Sequence, residues 1–147
     1  MSYVKIMVHC VWGTSHRRQL FHTDTRRVLI EHILSNAKKK NIYLDTINGY
    51  TDHLHAIVGL SAEQSISKVM GLIKGESSHW ANEVGLLPTR LEWAHEYFGE
   101  SVGRSDLERV RKYVANQEDH HRIVTFAEEY ESFMHEIRNG SGMWLTT

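Results

Sequence analysis

Two histidines one residue apart, His53 and His55, interrupt the stretch YTDHLHAIVGL (Tyr50 to Leu60), which otherwise reads as a buried β-strand. In a strand, residues two apart project to one face. The two imidazoles therefore point together, while Leu54, Ala56, Val58 and Leu60 point the other way. Imidazole is a good metal ligand, but a catalytic metal site usually has a third protein ligand. A hydrogen-bonded surface pair would give the same pattern, because short motifs also match by chance. The segment KYVANQEDHH, Lys112 to His121, offers what is missing. Tyr113 and Gln117 are four apart, which places them on one face of a helix. The glutamine carbonyl is a hard ligand suited to Mg2+ or Mn2+, and a tyrosine hydroxyl can form a covalent intermediate. Taken alone, Tyr113 reads as a surface tyrosine packed on a sheet. His120 and His121 lie within a turn of Gln117 and are further candidate ligands or phosphate contacts.

The elements that must position these groups follow from periodicity. Residues 2–12 alternate, with Val4, Ile6, Val8 and Cys10 on one face and Tyr3, Lys5, Met7 and His9 on the other. That puts His9 on the face of the histidine pair. After a polar loop, Thr23 can cap a helix over 24–40 with Leu29, Ile30, Ile33, Leu34 and Ala37 as its apolar face. A strand over 42–48, a tight turn at Asn48-Gly49 and a strand over 52–60 form a hairpin. A helix then runs from Ser61 or Ser65 to Val84 and ends at Gly85 and Pro88. Gly71 and Gly75 weaken it by about 1 kcal/mol each relative to alanine, which suggests close approach of another backbone. Residues 91–103 hold a fourth strand. Ser105 to Glu108, SDLE, reads as a capping box opening a helix to His120. A last helix covers 126–138, and the tail after Asn139 reads as frayed. The order β-α-β-β-α-β with additional C-terminal helices predicts an α+β, ferredoxin-like antiparallel sheet. Helices cover one face, leaving the other open for a site or partner.

Composition narrows the field. The 147 residues fit a single domain, 1–147, with no repeat or linker. One cysteine, Cys10, forbids an intrachain disulfide. No 18-residue apolar stretch occurs, so no membrane partner is expected and the reading is cytoplasmic. The net charge of −1 argues against a strong global nucleic-acid footprint, though not against local basic patches. Arg17, Arg18, Lys68, Lys74 and Arg111 are candidate phosphate contacts. Trp12, Trp80 and Trp93 read as core packing before base stacking.

The segments DHLHAIVGL, SISKVMGLIKGESSHW, EYF with ESVG, and VRKYVANQEDHH followed by VTFAEEY together resemble the single-tyrosine HUH transposases. These are of the insertion-sequence 200/605 type, with REP-associated tyrosine transposases among their relatives. The resemblance runs from about Tyr3 to Met134, and the order and spacing of its motifs are more specific than any one of them. It implies a homodimer that binds hairpins in single-stranded DNA at element ends. It also implies cleavage and strand transfer through a 5′-phosphotyrosine on Tyr113, with a divalent ion (Mg2+ or Mn2+) held by His53, His55 and Gln117. In many members the tyrosine helix of one subunit completes the other's site. Two alternatives remain at this level. One is a non-catalytic or domesticated hairpin-binding protein of the same fold, and the other an unrelated ferredoxin-like module with a structural or hydrolytic metal.

Overall fold

In a computed structural model, residues 2–121 and 124–140 are described, the last four as backbone only. The order is β1 (Ile6–Gly13), a 3-10 turn (Ser15–Arg17), α1 (Thr23–Lys39), β2 (Tyr43–Gly49), β3 (His53–Leu60), α2 (Ile66–Val84) and β4 (Phe98–Ser101). Then come α3 (Leu107–Ala115), α4 (Gln117–His121) and α5 (Phe126–Gly140). The strands form a 4-stranded sheet in the order β2-β3-β1-β4, with every neighbouring pair antiparallel. This is the ferredoxin-like arrangement.

The alternation of the strands decides which layer each residue serves. Val8, Cys10, Trp12, Leu54, Ala56 and Val58 pack with Leu29, Ile33, Val69, Met70 and Ile73 of α1 and α2 in the main core. Burying each large apolar side chain contributes roughly 1.5–3 kcal/mol. The opposite face is not open. Met7 and Ile57 pack under Leu107 and Val114 of α3, and Val11 packs with Phe98 and with Phe126 of α5. The C-terminal helices close the face that β-α-β-β-α-β leaves bare, because their apolar residues and those of the sheet have nowhere else to go.

Local capping departs from the sequence reading in several places. The hairpin turn is 50–52, after Gly49, where Tyr50 N–H donates to His53 O. Gly49 itself pairs with Leu54, and a Cβ there would lie 2.2 Å from the His53 carbonyl oxygen. Gly71 and Gly75 face open space, so no backbone approaches them. Ser65 caps α2, its hydroxyl accepting from Lys68 N–H. The SDLE box does not form, since α3 starts at Leu107 with Asp106 before it and no side-chain cap. The expected single helix 105–120 is broken at Asn116 (φ −100, ψ 27). There the Ala115 carbonyl accepts from Asn48 Nδ2 at 2.8 Å instead of continuing the helical ladder. The expectation of a frayed tail beyond Asn139 falls mainly on residues 141–147, outside the described residues.

Candidate metal and nucleophile site

The β3 pleat sends His53 and His55 to the face under α3–α5, where both are fully buried. Each has a partner at its outer nitrogen. His53 Nδ1 lies 2.8 Å from Asp52 Oδ1. A carboxylate only accepts, so Nδ1 carries the proton and Nε2 presents a lone pair inward. His55 Nδ1 lies 2.9 Å from His9 Nε2. Burial lowers the pKa of both, to about 3 for His55 and about 4 for His9. Both rings are therefore neutral near pH 7, as metal ligation requires. His9 is on the face the β1 alternation predicts, and the β1–β3 pairing brings it beside the pair.

The break at Asn116 turns Gln117 inward and buries it completely. Its Nε2 donates to Tyr113 O, which fixes the amide so that Oε1 faces the histidines. That oxygen is 3.4 Å from His53 Nε2 and 3.0 Å from His121 Nε2. His121 Nδ1 donates to Val124 O at 2.5 Å, so its other nitrogen also points a lone pair at the cluster unless doubly protonated. Burial opposes charge on His121, but hydrogen bonds to Glu129 and Val124 outweigh it and raise its pKa.

Glu129, from α5, completes the cluster and was not a candidate from sequence. Its Oε1 lies 3.0 Å from His55 Nε2, 3.5 Å from His53 Nε2 and 3.4 Å from His121 Nε2. Burial alone would raise its pKa, yet hydrogen bonds from His121, His55 and Tyr113 hold it well below the usual carboxylate range. The signal for Glu129 was its helical phase. With Phe126, Tyr130 and Phe133 it occupies i, i+3, i+4 and i+7 of one stripe, so it is an acid inside an apolar face.

Tyr113 is half-buried, its ring 5.6 Å from that of His55. Its hydroxyl donates to Glu129 Oε2 and lies 3.3 Å from His120 Nε2, which in turn is 2.7 Å from the same carboxylate oxygen. Burial and the neighbouring Glu129 carboxylate push the phenol pKa well above its ordinary value. One carboxylate thus touches the nucleophile candidate with one oxygen and the histidine cluster with the other.

The donor chemistry fits a divalent cation. Ligand atoms of His53, His55, His121 and Glu129 all lie within 4.8 Å of one another, and Gln117 Oε1 joins them. Lone pairs facing lone pairs repel, and either a proton or a cation among them relieves the conflict. Imidazole with carboxylate and amide oxygens suits a hard or borderline divalent ion.

The predicted phosphate contacts are dispersed. Arg17 lines a cavity beside Phe126 and Tyr130, and Arg18 is exposed on the same turn. Lys68 and Lys74 belong to α2, on the sheet face opposite the histidines, and Lys74 Nζ donates to Ala94 O and His95 O. Arg111 is held by both oxygens of Asp45, a residue at the β2 bulge. The structure therefore gathers His53, His55, Tyr113 and Gln117, with only the Arg17–Arg18 turn nearby. The tryptophans behave as core residues: Trp12 and Trp93 are buried, and Trp80 stacks on His32.

Paired histidines, a tyrosine and a glutamine meet on one face of a ferredoxin-like sheet, and the chain is of the transposase class. More narrowly, the family described as "Transposase IS200 like" matches residues 2–117, and the chain belongs to it. Transposases of Salmonella typhimurium (strain LT2) and Salmonella typhi for insertion sequence element IS200 are each 26% identical over 114 residues, covering 74% of this chain and 74% of theirs. Two solved structures share the fold. A Deinococcus radiodurans R1 protein put forward as a transposase has TM-score 0.64, 20% identity and coverage of 80% of this chain and 95% of its own. A REP-associated tyrosine transposase bound to a REP hairpin has TM-score 0.63, 15% identity and coverage of 95% and 84%. The family match ends at Gln117, so His120, His121 and Glu129 lie past it. Among the described residues no helix is long and apolar enough to cross a membrane.

Proposed function

We propose that the chain binds hairpins in single-stranded DNA at element ends, then cleaves and rejoins the strand through a 5′-phosphotyrosine on Tyr113. The observation that carries the reading is the bridge from Tyr113 Oη through Glu129 to the His53–His55 pair within one chain. His53, His55 and Gln117 would hold Mg2+ or Mn2+, and one or more of the five converging donors gives way, because substrate needs an open position. When bound, the ion supplies positive charge to a non-bridging phosphate oxygen.

The chain's own residues do the rest. Tyr113 Oη attacks phosphorus while its proton passes to Glu129 Oε2, with His120 Nε2 beside that oxygen to carry the proton toward solvent. The P–O3′ bond breaks, the 3′-oxygen leaves and takes a proton, and phosphate stays on Tyr113. In rejoining, a 3′-hydroxyl attacks the phosphotyrosine and Tyr113 regains its proton. The exchange conserves the phosphodiester energy and needs no nucleotide cofactor. The proposal includes a single domain, a homodimer and a cytoplasmic, nucleoid-associated location, with each Tyr113 set in its own chain's site.

A second reading, a hairpin-binding protein without cleavage, is favoured by one fact: His53 and His55 have no solvent exposure under α5. A denaturing gel with single-stranded DNA from the gene's own flanks, with Mn2+ or Mg2+, separates the two. A covalent adduct lost in Tyr113→Phe and in His53→Ala/His55→Ala supports cleavage. Hairpin binding without any adduct supports the second reading.

A further inference from the structure

Between the end of β1 and α5 lies a cavity of about 350 Å³, whose lining includes Thr14, His16, Arg17, Glu96, Phe126 and Tyr130. It adjoins the histidine site. Gly13, also in its wall, pairs with His53 across the β1–β3 ladder, and Phe126 stacks directly on His53. The volume is at the low end for small-molecule sites. Its aromatic wall is Phe126 with Tyr130 edge-on at 5.7 Å. Arg17 and Glu96 bring opposite charges to one mouth, which suits a neutral planar group with donors and acceptors on its edge better than a bare phosphate. The backbone supplies a separate observation. His16 (φ 59) and Arg17 (φ 52) are consecutive non-glycine residues in the left-handed region. Each costs about 1–2 kcal/mol, and such strain concentrates at ligand sites. The turn is held in place by Arg17 N–H to Thr14 O (3.0 Å), Thr14 Oγ1 to Arg18 O (2.7 Å) and Ser15 N–H to Glu92 O (2.8 Å).

We propose that this cavity is a nucleobase subsite, taking the unpaired base of the nucleotide next to the phosphate that Tyr113 attacks. The base stacks on Tyr130, Arg17 donates to its edge, and Glu96 accepts from an exocyclic amine. Glu96 then favours cytosine or adenine over thymine, since only the first two present an amino group to a carboxylate. The inference rests on the single-strand transposase reading and adds to it where, and on which base, the strand is gripped.

The test needs no metal and no cleavage. The full chain is titrated with a fluorescein-labelled pentathymidylate carrying 2-aminopurine at its centre, read by anisotropy for binding and by 2-aminopurine quenching for stacking. Wild type is expected to bind and quench. Arg17→Ala and Tyr130→Leu are expected to weaken the quenching titration about fivefold or more, the size of a lost stacking contact. Arg17 is exposed, so its variant keeps the test valid should Tyr130→Leu disturb α5. Glu96→Gln should narrow the preference for a central cytosine over thymine. Unchanged quenching in both variants, or quenching abolished by inorganic phosphate alone, overturns the subsite. Binding without quenching also overturns it while leaving the transposase reading intact. No binding of this unpaired pentamer overturns the subsite, while the transposase reading stands or falls by the hairpin and adduct assay.

Discussion

Phe126 lies flat on His53, the ring centroids 4.0 Å apart and the planes within 7°. Phe133 stacks on Phe98 at 4.6 Å and meets His9 edge-on at 6.0 Å. Helix α5 therefore reaches the site through aromatic faces as well as through Glu129. Phe126→Ala removes the ring that covers His53, one of the proposed metal ligands. Because α5 is a peripheral layer, the expected result is local release. Amide exchange in the 126–136 segment should speed by about tenfold or more while β1 and β3 stay protected. Uniform loss of protection across the sheet would mean that Phe126 belongs to the global core.

Glu129→Gln keeps shape and removes charge. It takes away the carboxylate proposed to accept the Tyr113 proton, and general-base catalysis is worth about 10²–10⁴-fold. Strand cleavage is expected to fall by that range with binding of DNA retained, measured by single-turnover adduct formation. Cleavage at the wild-type rate would assign the proton to another group.

Asp52 acts on the cluster through His53 Nδ1. Asp52→Asn leaves the fold in place but no longer enforces the tautomer that turns Nε2 inward. Second-layer partners of this kind are worth about 10–100-fold in metal affinity. Calorimetric titration with Mn2+ should show a weakening of that order, and equal affinities would mean that His53 is oriented by Phe126 alone.

The Arg111–Asp45 pair should show a pH signature in stability. Hydrogen bonds from Arg111 hold the Asp45 carboxyl below its ordinary value. A depressed carboxylate contributes stability above its unfolded pKa of about 3.9 and loses it as pH falls through the folded value. The Tm difference between wild type and Arg111→Ala should be largest at neutral pH and close below about pH 4. A difference that stays constant from pH 7 to pH 3 would show that packing, not charge, makes the contact.

Much of this arrangement was legible in the chain. Period-2 alternation put His53, His55 and His9 on one face, the β1–β3 pairing made His9 their neighbour, and the element order gave the sheet. Gln117 was found by spacing, although it works differently from a residue on a continuous helix. Its inward turn depends on Asn48 taking the Ala115 carbonyl, a contact 67 residues apart that no local pattern announces. The open sheet face was misjudged because the apolar stripe of residues 126–133 was not matched to a surface. Two unclaimed apolar faces in one chain find each other. Glu129 escaped notice for the same reason, since an acid looks like solvent surface until its stripe is known to be covered. The lysines of α2 were chosen by charge, and charge alone does not say which side of a sheet a helix occupies.

The cover of α5 over the histidines makes access to them a matter of populations. A phosphate reaches His53 and His55 in molecules whose α5 has moved aside, and α5 must return for Glu129 to face Tyr113 and Tyr130 to face the base, so the affinity of the entry step is the intrinsic one scaled by that open fraction. If opening requires about 2.7 kcal/mol, roughly one molecule in a hundred is competent and the apparent Kd is about a hundredfold weaker. Substitutions at the α5 contact should then move two observables in opposite directions. A substitution that loosens the helix while sparing Glu129 and Tyr130 lowers the melting temperature and tightens apparent binding, and one that fastens it does the reverse.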